Sequence, residues 1–152
     1  MNKDTENMTN PKENDDLLNF FEEFLKPGVV IKEKEVVDGF KIKLKVLNSE
    51  ELLQAESILL NSNSTIPVDI LHKVRAASIL SQSILQLNGI VIDKEEAPKE
   101  EARLRRHELY KQILKMPAIL VQKTYEFYIE AVNEQNSFYE NGKESIEKIE
   151  NF

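Results

Sequence analysis

The sequence contains no cysteine and no tryptophan, and only four of its 152 residues are glycine. Without cysteine, the chain can form neither disulfides nor the thiolate sites used in catalysis and zinc binding. So few glycines leave little room for the loops that bind phosphate groups or present a catalytic serine, and no such motif occurs. We therefore expect a protein without enzymatic activity and without a cofactor.

The two histidines of the chain lack the neighbours of a metal or catalytic site. His72 follows Asp69 by one helical turn, which offers two ligands but no third. His107 lies in "RLRRHELYK", where the arginines would repel a bound cation. The sequence therefore predicts no metal site.

Long apolar runs and an excess of positive charge are also missing. Nowhere do about eighteen apolar residues follow one another, as a membrane-spanning helix requires, and the N-terminal "MNKDTENMTNPKENDD" has no apolar signal-peptide core. The formal net charge of -7 opposes non-specific binding of nucleic acid, because phosphates would be repelled. We expect a cytoplasmic protein without membrane contact, whose partners are other proteins.

The composition that remains, 41% hydrophobic and 31% charged residues, describes one helix-rich domain with a modest core. Residues 1–14 are polar and predict a disordered acidic tail. Residues 15–26 predict a short Phe-rich helix, residues 29–140 a single globular domain, and residues 141–152 a C-terminal tail. The sequence thus predicts one globular domain, preceded by a tail and a short helix and followed by a second tail.

The stretch "DDLLNFFEEFLKPG" predicts the short amphipathic helix. Its apolar residues recur at helical spacing, acids occupy the first turn, and Pro27 with Gly28 ends the helix. Two interpretations stay open, because the same face can pack on the main core or enter a groove of a partner protein. The candidate interaction residues here are Phe20, Phe21, Phe24 and Leu25.

The stretch "VVIKEKEVVDGFKIKLKVL" predicts a β-hairpin turning at Asp38-Gly39. A two-residue loop would pair Val37 with Phe40 and place the glutamates of the first strand among apolar side chains. A three-residue loop would pair Val36 with Phe40, with Gly39 in a left-handed bulge. We favour the second register because it avoids stacking like charges. It places on one face Glu33, Glu35, Lys41, Lys43 and Lys45.

Four helices follow the hairpin in the sequence. The first begins at Asn48, which forms a capping pair with Glu51, and the second is a long central helix from Pro67, ended by Gly89. "GIVID" predicts a short strand added to the hairpin, and Pro117 separates the last two helices. The sequence thus predicts an α+β fold, mostly α, with an N-terminal β-hairpin packed on a bundle of about four helices and a short amphipathic helix before it.

Two further groups of side chains are candidate interaction residues. One is an arginine cluster that either pairs with neighbouring glutamates or contacts an acidic partner. The other is a pair of tyrosines at helical spacing, which either belong to the core or lie in an interface. These residues are Arg103, Arg105, Arg106, Tyr125 and Tyr128.

Three blocks, "DGFKIKLKVLNSEE", "ILQLNGIVID" and "ILKMPAILVQKTYEFY", resemble the short helical tail assembly chaperones and baseplate-hub assembly proteins of tailed bacteriophages. The resemblance spans about residues 29 to 130. Met116 stands where those families often have Leu, and the lysine-rich strand departs from their commoner pattern. The matching positions are Asp38, Gly39, Asn48, Ser49, Asn88, Gly89, Met116, Pro117, Val121, Tyr125 and Tyr128.

This resemblance implies a non-enzymatic assembly factor or structural component of a phage tail or baseplate. Such a protein would work in the host cytoplasm during assembly, or stay in the virion, and bind other tail proteins through its Phe-rich helix, hairpin edge and helical surface. A bacterial cytosolic adaptor and a nucleic-acid-binding protein remain as alternatives, and self-association into a homo-oligomer stays open. The nucleic-acid alternative would use Lys41, Lys43, Lys45 and the cluster from Arg103 to Arg106.

Overall fold

Helix-forming sequence dominates the chain, and the computed structural model, which describes residues 11–61 and 67–150, contains five α-helices and four β-strands within that part. A 3₁₀ turn, Lys26–Gly28, joins the first helix to the first strand. The α+β fold, mostly α, is confirmed. The elements in chain order are α1 (Pro11–Leu25), β1 (Ile31–Val37), β2 (Phe40–Lys45), α2 (Ser49–Asn61), α3 (Val68–Ser83), β3 (Ile84–Leu87), β4 (Ile90–Val91), α4 (Lys99–Leu114) and α5 (Ala118–Glu150).

The four strands form one antiparallel sheet in the order β1-β2-β3-β4. Strands β1 and β2 pair Glu33 with Lys43 and Glu35 with Lys41. The register that places opposite charges across from each other is therefore confirmed. It also lets Ile42 point into the core, where this side chain is fully buried.

The turn of this first hairpin differs in detail from the prediction. Val37, not Val36, pairs with Phe40, and the register shifts by one residue beside Val36. The predicted Val36–Phe40 pair is thus wrong, because the extra residue sits in the strand as a bulge and the turn keeps two residues. Gly39 has a φ of 82° and donates its N–H to Glu35 Oε1 at 2.8 Å, which ties the turn to the strand.

The central helix is shorter than predicted. Helix α3 ends at Ser83, and the residues that follow form strand β3, which pairs with both β2 and β4. Asn88 and Gly89 connect β3 to β4 with φ values of 50° and 82°. An Asn-Gly turn with both residues at positive φ favours a tight hairpin, so Gly89 closes a hairpin and does not end a helix. The predicted "GIVID" strand exists as β4, but it pairs with β3 at the far edge of the sheet and not with the first hairpin, because β3 lies between them.

Asn88 joins the turns of the two hairpins. Its N–H donates to the Lys41 carbonyl at 2.8 Å, and its Oδ1 accepts the Lys41 N–H at 2.7 Å. Its Nδ2 donates to the Gly39 carbonyl at 3.1 Å. One residue thus holds one end of the sheet together.

The helix boundaries show both agreement and difference. Asn48 and Glu51 form the predicted reciprocal cap, with bonds of 3.0 and 2.9 Å, and the break between α4 and α5 falls at Pro117. Helix α1 begins at Pro11, inside the predicted N-terminal tail, of which residues 1–10 lie outside the described residues. Helix α5 continues to Glu150 through the predicted C-terminal tail, since no proline follows Pro117 to interrupt it.

The core lies between one face of the sheet and helices α3, α4 and α5. Ile42 and Leu44 of β2 and Leu80 of α3 are fully buried at its centre. The remaining buried members of this cluster are Leu47, Ala77, Ile84, Leu109, Tyr110, Ile113, Phe127, Tyr128 and Ala131.

Candidate protein-interaction surfaces

Helix α1 carries a row of large apolar side chains that the rest of the chain leaves exposed. Their exposed fractions lie between 48% and 59%, and every described side chain of the helix, from Asp15 to Leu25, is exposed. We call this row the Phe face. It consists of Leu17, Leu18, Phe20, Phe21, Phe24 and Leu25.

The C-terminal end of α1 is nevertheless attached to α5. Gln135 Nε2 donates to the Gly28 carbonyl at 2.9 Å, and Tyr139 Oη donates to the Leu25 carbonyl at 3.4 Å. The rings of Phe24 and Tyr139 have centroids 6.2 Å apart. Gly28 is needed at this contact, because a Cβ atom there would lie 2.0 Å from Tyr139 Oη. This attachment leaves the apolar side chains of α1 exposed. Of the two interpretations of this helix, the structure therefore does not show packing on the core.

The aromatic rings of the Phe face also contact one another. Phe20 and Phe24 stack with centroids 5.8 Å apart, and Phe20 and Phe21 meet edge to face at 5.5 Å. Stacked and edge-to-face arrangements are the favourable geometries for aromatic pairs. The Phe face is thus a continuous apolar surface.

The predicted arginine cluster separates into three different environments. Arg106 is buried, with 7% of its surface exposed, and its guanidinium binds Asp93 at 2.7 and 3.1 Å. It also donates to the carbonyls of Ser81, at 3.1 Å, and of Ile84. These carbonyls lie at the C-terminal end of α3, where a positive charge is favourable. Arg106 therefore holds α3 and α4 together and offers no free charge to a partner.

The other two arginines of the cluster differ in their hydrogen-bond partners. Arg105 donates to the Ile92 carbonyl at 2.7 Å. Arg103 is exposed and binds Glu100 at 2.5 Å, and this hydrogen bond and charge lower the pKa of Glu100. An exposed pair of this kind is screened by water and contributes little to stability.

The two candidate tyrosines also separate. Tyr128 is buried and its hydroxyl accepts the Leu47 N–H at 3.4 Å, while burial raises its pKa above the ordinary tyrosine value. Tyr125 is half-buried, and its ring stacks on that of Tyr128 with centroids 6.0 Å apart. Tyr128 is thus a core residue, and Tyr125 alone reaches a surface.

Four of the five lysines of the hairpin bind acids, on both faces of the sheet. On the outer face Lys41 binds Glu33 at 3.0 Å, and Lys45 binds Glu51 of α2. On the inner face, at the free edge of β1, Lys32 binds Glu134 at 3.1 Å and Lys34 binds Glu130 at 3.7 Å. Inward-pointing charges on an edge strand oppose the addition of another strand. This arrangement weakens the hypothesis that the hairpin edge binds a partner.

Sequence reasoning did not find a cleft of about 770 Å³ between helices α3 and α5. Its floor is apolar, and Tyr125 and Val121 line one wall. The opposite wall carries the cationic side chains Lys73 and Arg75 and the exposed His72. We call it the α3–α5 cleft. No pattern in the sequence predicts the α3–α5 cleft, because its walls come from helices that are distant in the chain.

In the part of the chain that the structure describes, no three histidine, aspartate or glutamate side chains come close enough to hold a metal ion. None of the helices in residues 11–61 and 67–150 is both long enough and apolar enough to cross a membrane.

Comparison of the chain with family models, with curated proteins and with solved structures finds no match.

Proposed function

We propose that this chain is a non-enzymatic assembly protein that binds another protein through the Phe face of α1. The observation that carries the proposal is the row of six large apolar side chains, each about half-exposed, on a helix whose C-terminal end is attached to α5. Contiguous apolar patches of this kind on a protein surface mark binding sites. An amphipathic helix entering a groove is a common mode of recognition.

The charges of α1 support this mode of binding. At about 100° per residue, the six apolar side chains cover an arc of about 160° around the helix. Asp15 and Glu22 border this arc on one side, and Asp16 and Glu23 border it on the other. The complementary partner surface is an apolar groove with cationic side chains along its rim.

The setting of the proposal comes from the resemblance to phage tail proteins, which makes a tail or baseplate subunit the first partner to test. The alternative setting is a bacterial cytosolic adaptor, which would use the same face on a different partner. Nucleic-acid binding receives less support, because Arg106 is buried and Lys41 and Lys45 already bind acids.

Affinity capture from the native cell or infected host tests the proposal. The wild-type chain should retain specific proteins, and the triple variant Phe20→Ser, Phe21→Ser, Phe24→Ser should lose them. The matched control is Leu60→Ser on α2, a side chain that is 81% exposed outside the Phe face. Circular dichroism checks that all chains are folded. Equal capture by the wild-type chain and the triple variant would refute the proposed role of α1.

The identity of the captured proteins tests the setting. Tail or baseplate subunits support the phage assembly role, and capture of host cytosolic proteins alone supports the adaptor. Mass spectrometry of purified phage particles then separates the two forms of the phage role. A chain present at fixed copy number is a virion component, and a chain found only in assembling lysates is a chaperone.

A further inference from the structure

The α3–α5 cleft and the Phe face are two uncovered apolar surfaces of the same chain. The cleft ends at Leu114 and Met116, in the turn between α4 and α5, and its floor includes Ala76 and Ala77. Small alanines in the floor let another helix approach closely, and the volume of about 770 Å³ accommodates several large side chains. The cleft is therefore shaped to receive the apolar side of a helix.

One wall of the cleft is complementary in charge to the acidic borders of the Phe face. The α3 wall carries Lys73 and Arg75, and Arg75 binds Glu56 at 3.3 Å, so Lys73 contributes the less neutralised charge. The α5 wall carries Glu126, whose carboxylate accepts a hydrogen bond from Gln122 at 3.1 Å. Helix α1 brings acids on both borders of its Phe face. A docked α1 would thus set one acidic border against the cationic α3 wall.

Helix α1 cannot reach the cleft of its own chain while its attachment to α5 persists. Leu25 is bonded to Tyr139, and the apolar run from Leu17 to Leu25 spans about 12 Å at about 1.5 Å per residue. Along α5, Tyr125 lies about 21 Å from Tyr139 by the same rise per residue. The Phe face therefore falls short of the cleft within one chain, and only another molecule can bring such a helix there.

We propose that the α3–α5 cleft receives helix α1 of a second copy of this chain. If each copy inserts its helix into the other, the two contacts are identical and the assembly closes as a symmetric dimer. This inference goes beyond the proposed function: the dimer covers the Phe face until a partner protein competes for it. Without a partner protein, the dimer would then keep the Phe face covered.

A pair of charge-reversed chains tests this contact. The cleft variant, His72→Glu with Lys73→Glu, turns the α3 wall acidic, and the helix variant, Glu22→Lys with Glu23→Lys, turns α1 basic. Each variant alone should dimerise about tenfold more weakly than the wild-type chain, because like charges then meet. A mixture of the two should form a heterodimer, since both of its contacts pair opposite charges. Sedimentation velocity measures all three samples, and a mixture that stays monomeric would overturn the proposal.

Cysteine crosslinking locates the contact, and the absence of native cysteine makes it clean. One chain carries Leu18→Cys at the border of the Phe face, and a second carries Gln122→Cys on the cleft wall. A short bismaleimide should join the two chains into a mixed dimer. Lys94→Cys, on an exposed loop outside the cleft, is the matched control and should not be joined to the Leu18→Cys chain. Equal crosslinking to both positions would contradict docking in the cleft.

The failure of this proposal is distinguishable from failure of the proposed function. The cleft variant keeps its own Phe face intact, so it should still capture partner proteins from a lysate while failing to dimerise by itself. A wild-type chain that remains monomeric at about 100 μM would overturn the exchange and leave partner binding by α1 untouched.

Discussion

The molecule buries a charge in one region and exposes aromatic rings in another. Arg106, between α3 and α4, is 7% exposed and has carboxylate and carbonyl partners for its guanidinium. Phe20, on α1, is 58% exposed. This reverses the usual distribution of the two residue types. The burial of the arginine is explained by the protein acceptors that replace water around its guanidinium. The exposure of the phenylalanine is the observation on which the proposed binding of a partner rests.

The strongest test of this contrast is Arg106→Ala, which removes the donors that satisfy the end of α3. Asp93 is half-exposed and can be rehydrated, so the cost should stay below that of breaking a fully buried ion pair. We expect the free energy of unfolding to fall by about 2–3 kcal/mol, measured by urea denaturation. Arg103→Ala, which removes an exposed arginine from the same helix, is the control and should change little. Equal effects of the two substitutions would contradict the role of Arg106 in holding α3 and α4 together.

A smaller effect is expected from Tyr128→Phe, which removes the buried acceptor of the Leu47 N–H. At neutral pH it should cost about 1 kcal/mol, because one buried donor loses its partner.

The same variant should also change the dependence of stability on pH. Burial raises the pKa of Tyr128, so the folded chain keeps a proton that the unfolded chain releases above about pH 10. Stability should therefore fall as the pH rises above that value, and fall less steeply in Tyr128→Phe. Tyr110→Phe is the useful comparison, because burial also raises the pKa of Tyr110. Denaturation curves from pH 8 to 11 that are parallel for the wild-type chain and Tyr128→Phe would contradict this.

The smallest expected effect completes the contrast. Phe20→Ser with Phe24→Ser should change the free energy of unfolding by less than about 0.5 kcal/mol per substitution, because neither side chain lies in the core. Denaturation of monomeric protein, at concentrations below self-association, measures it. A loss of several kcal/mol would mean that α1 is part of the folded core after all.

The fold was largely predictable from local patterns in the sequence. The register of the first hairpin followed from the repulsion between like charges, and the start of α2 followed from the capping pair of Asn48 and Glu51. The end of α3 was not predictable in this way. Ile84 and Leu87 fit both a helical and a strand spacing, and the Asn-Gly turn that decides between them was interpreted as a helix end.

The surfaces were less predictable than the fold, because they depend on contacts between distant parts of the chain. The sequence did not predict that Phe20 is exposed or that Arg106 is buried. Amphipathic stretches like that of Phe20 and charged stretches like that of Arg106 occur in both settings. Arg106 is buried because its guanidinium binds the carbonyls of Ser81 and Ile84 at the C-terminal end of α3. The sequence does not show which helix end lies next to Arg106. The α3–α5 cleft has no local signal at all.

The bonds of Asn88 also have a kinetic consequence. Asn88 and Gly39 are 49 positions apart, so their contact closes a long loop that contains β2, α2 and α3. The first hairpin can form early from local contacts, which include the bond from the Gly39 N–H to Glu35. The Lys41 N–H, however, meets its acceptor, Asn88 Oδ1, only after α3 has folded and the chain has turned back into β3. The Lys41 N–H should therefore gain protection from hydrogen exchange together with β3, although it lies in the segment of the chain with the strongest local signal for a hairpin.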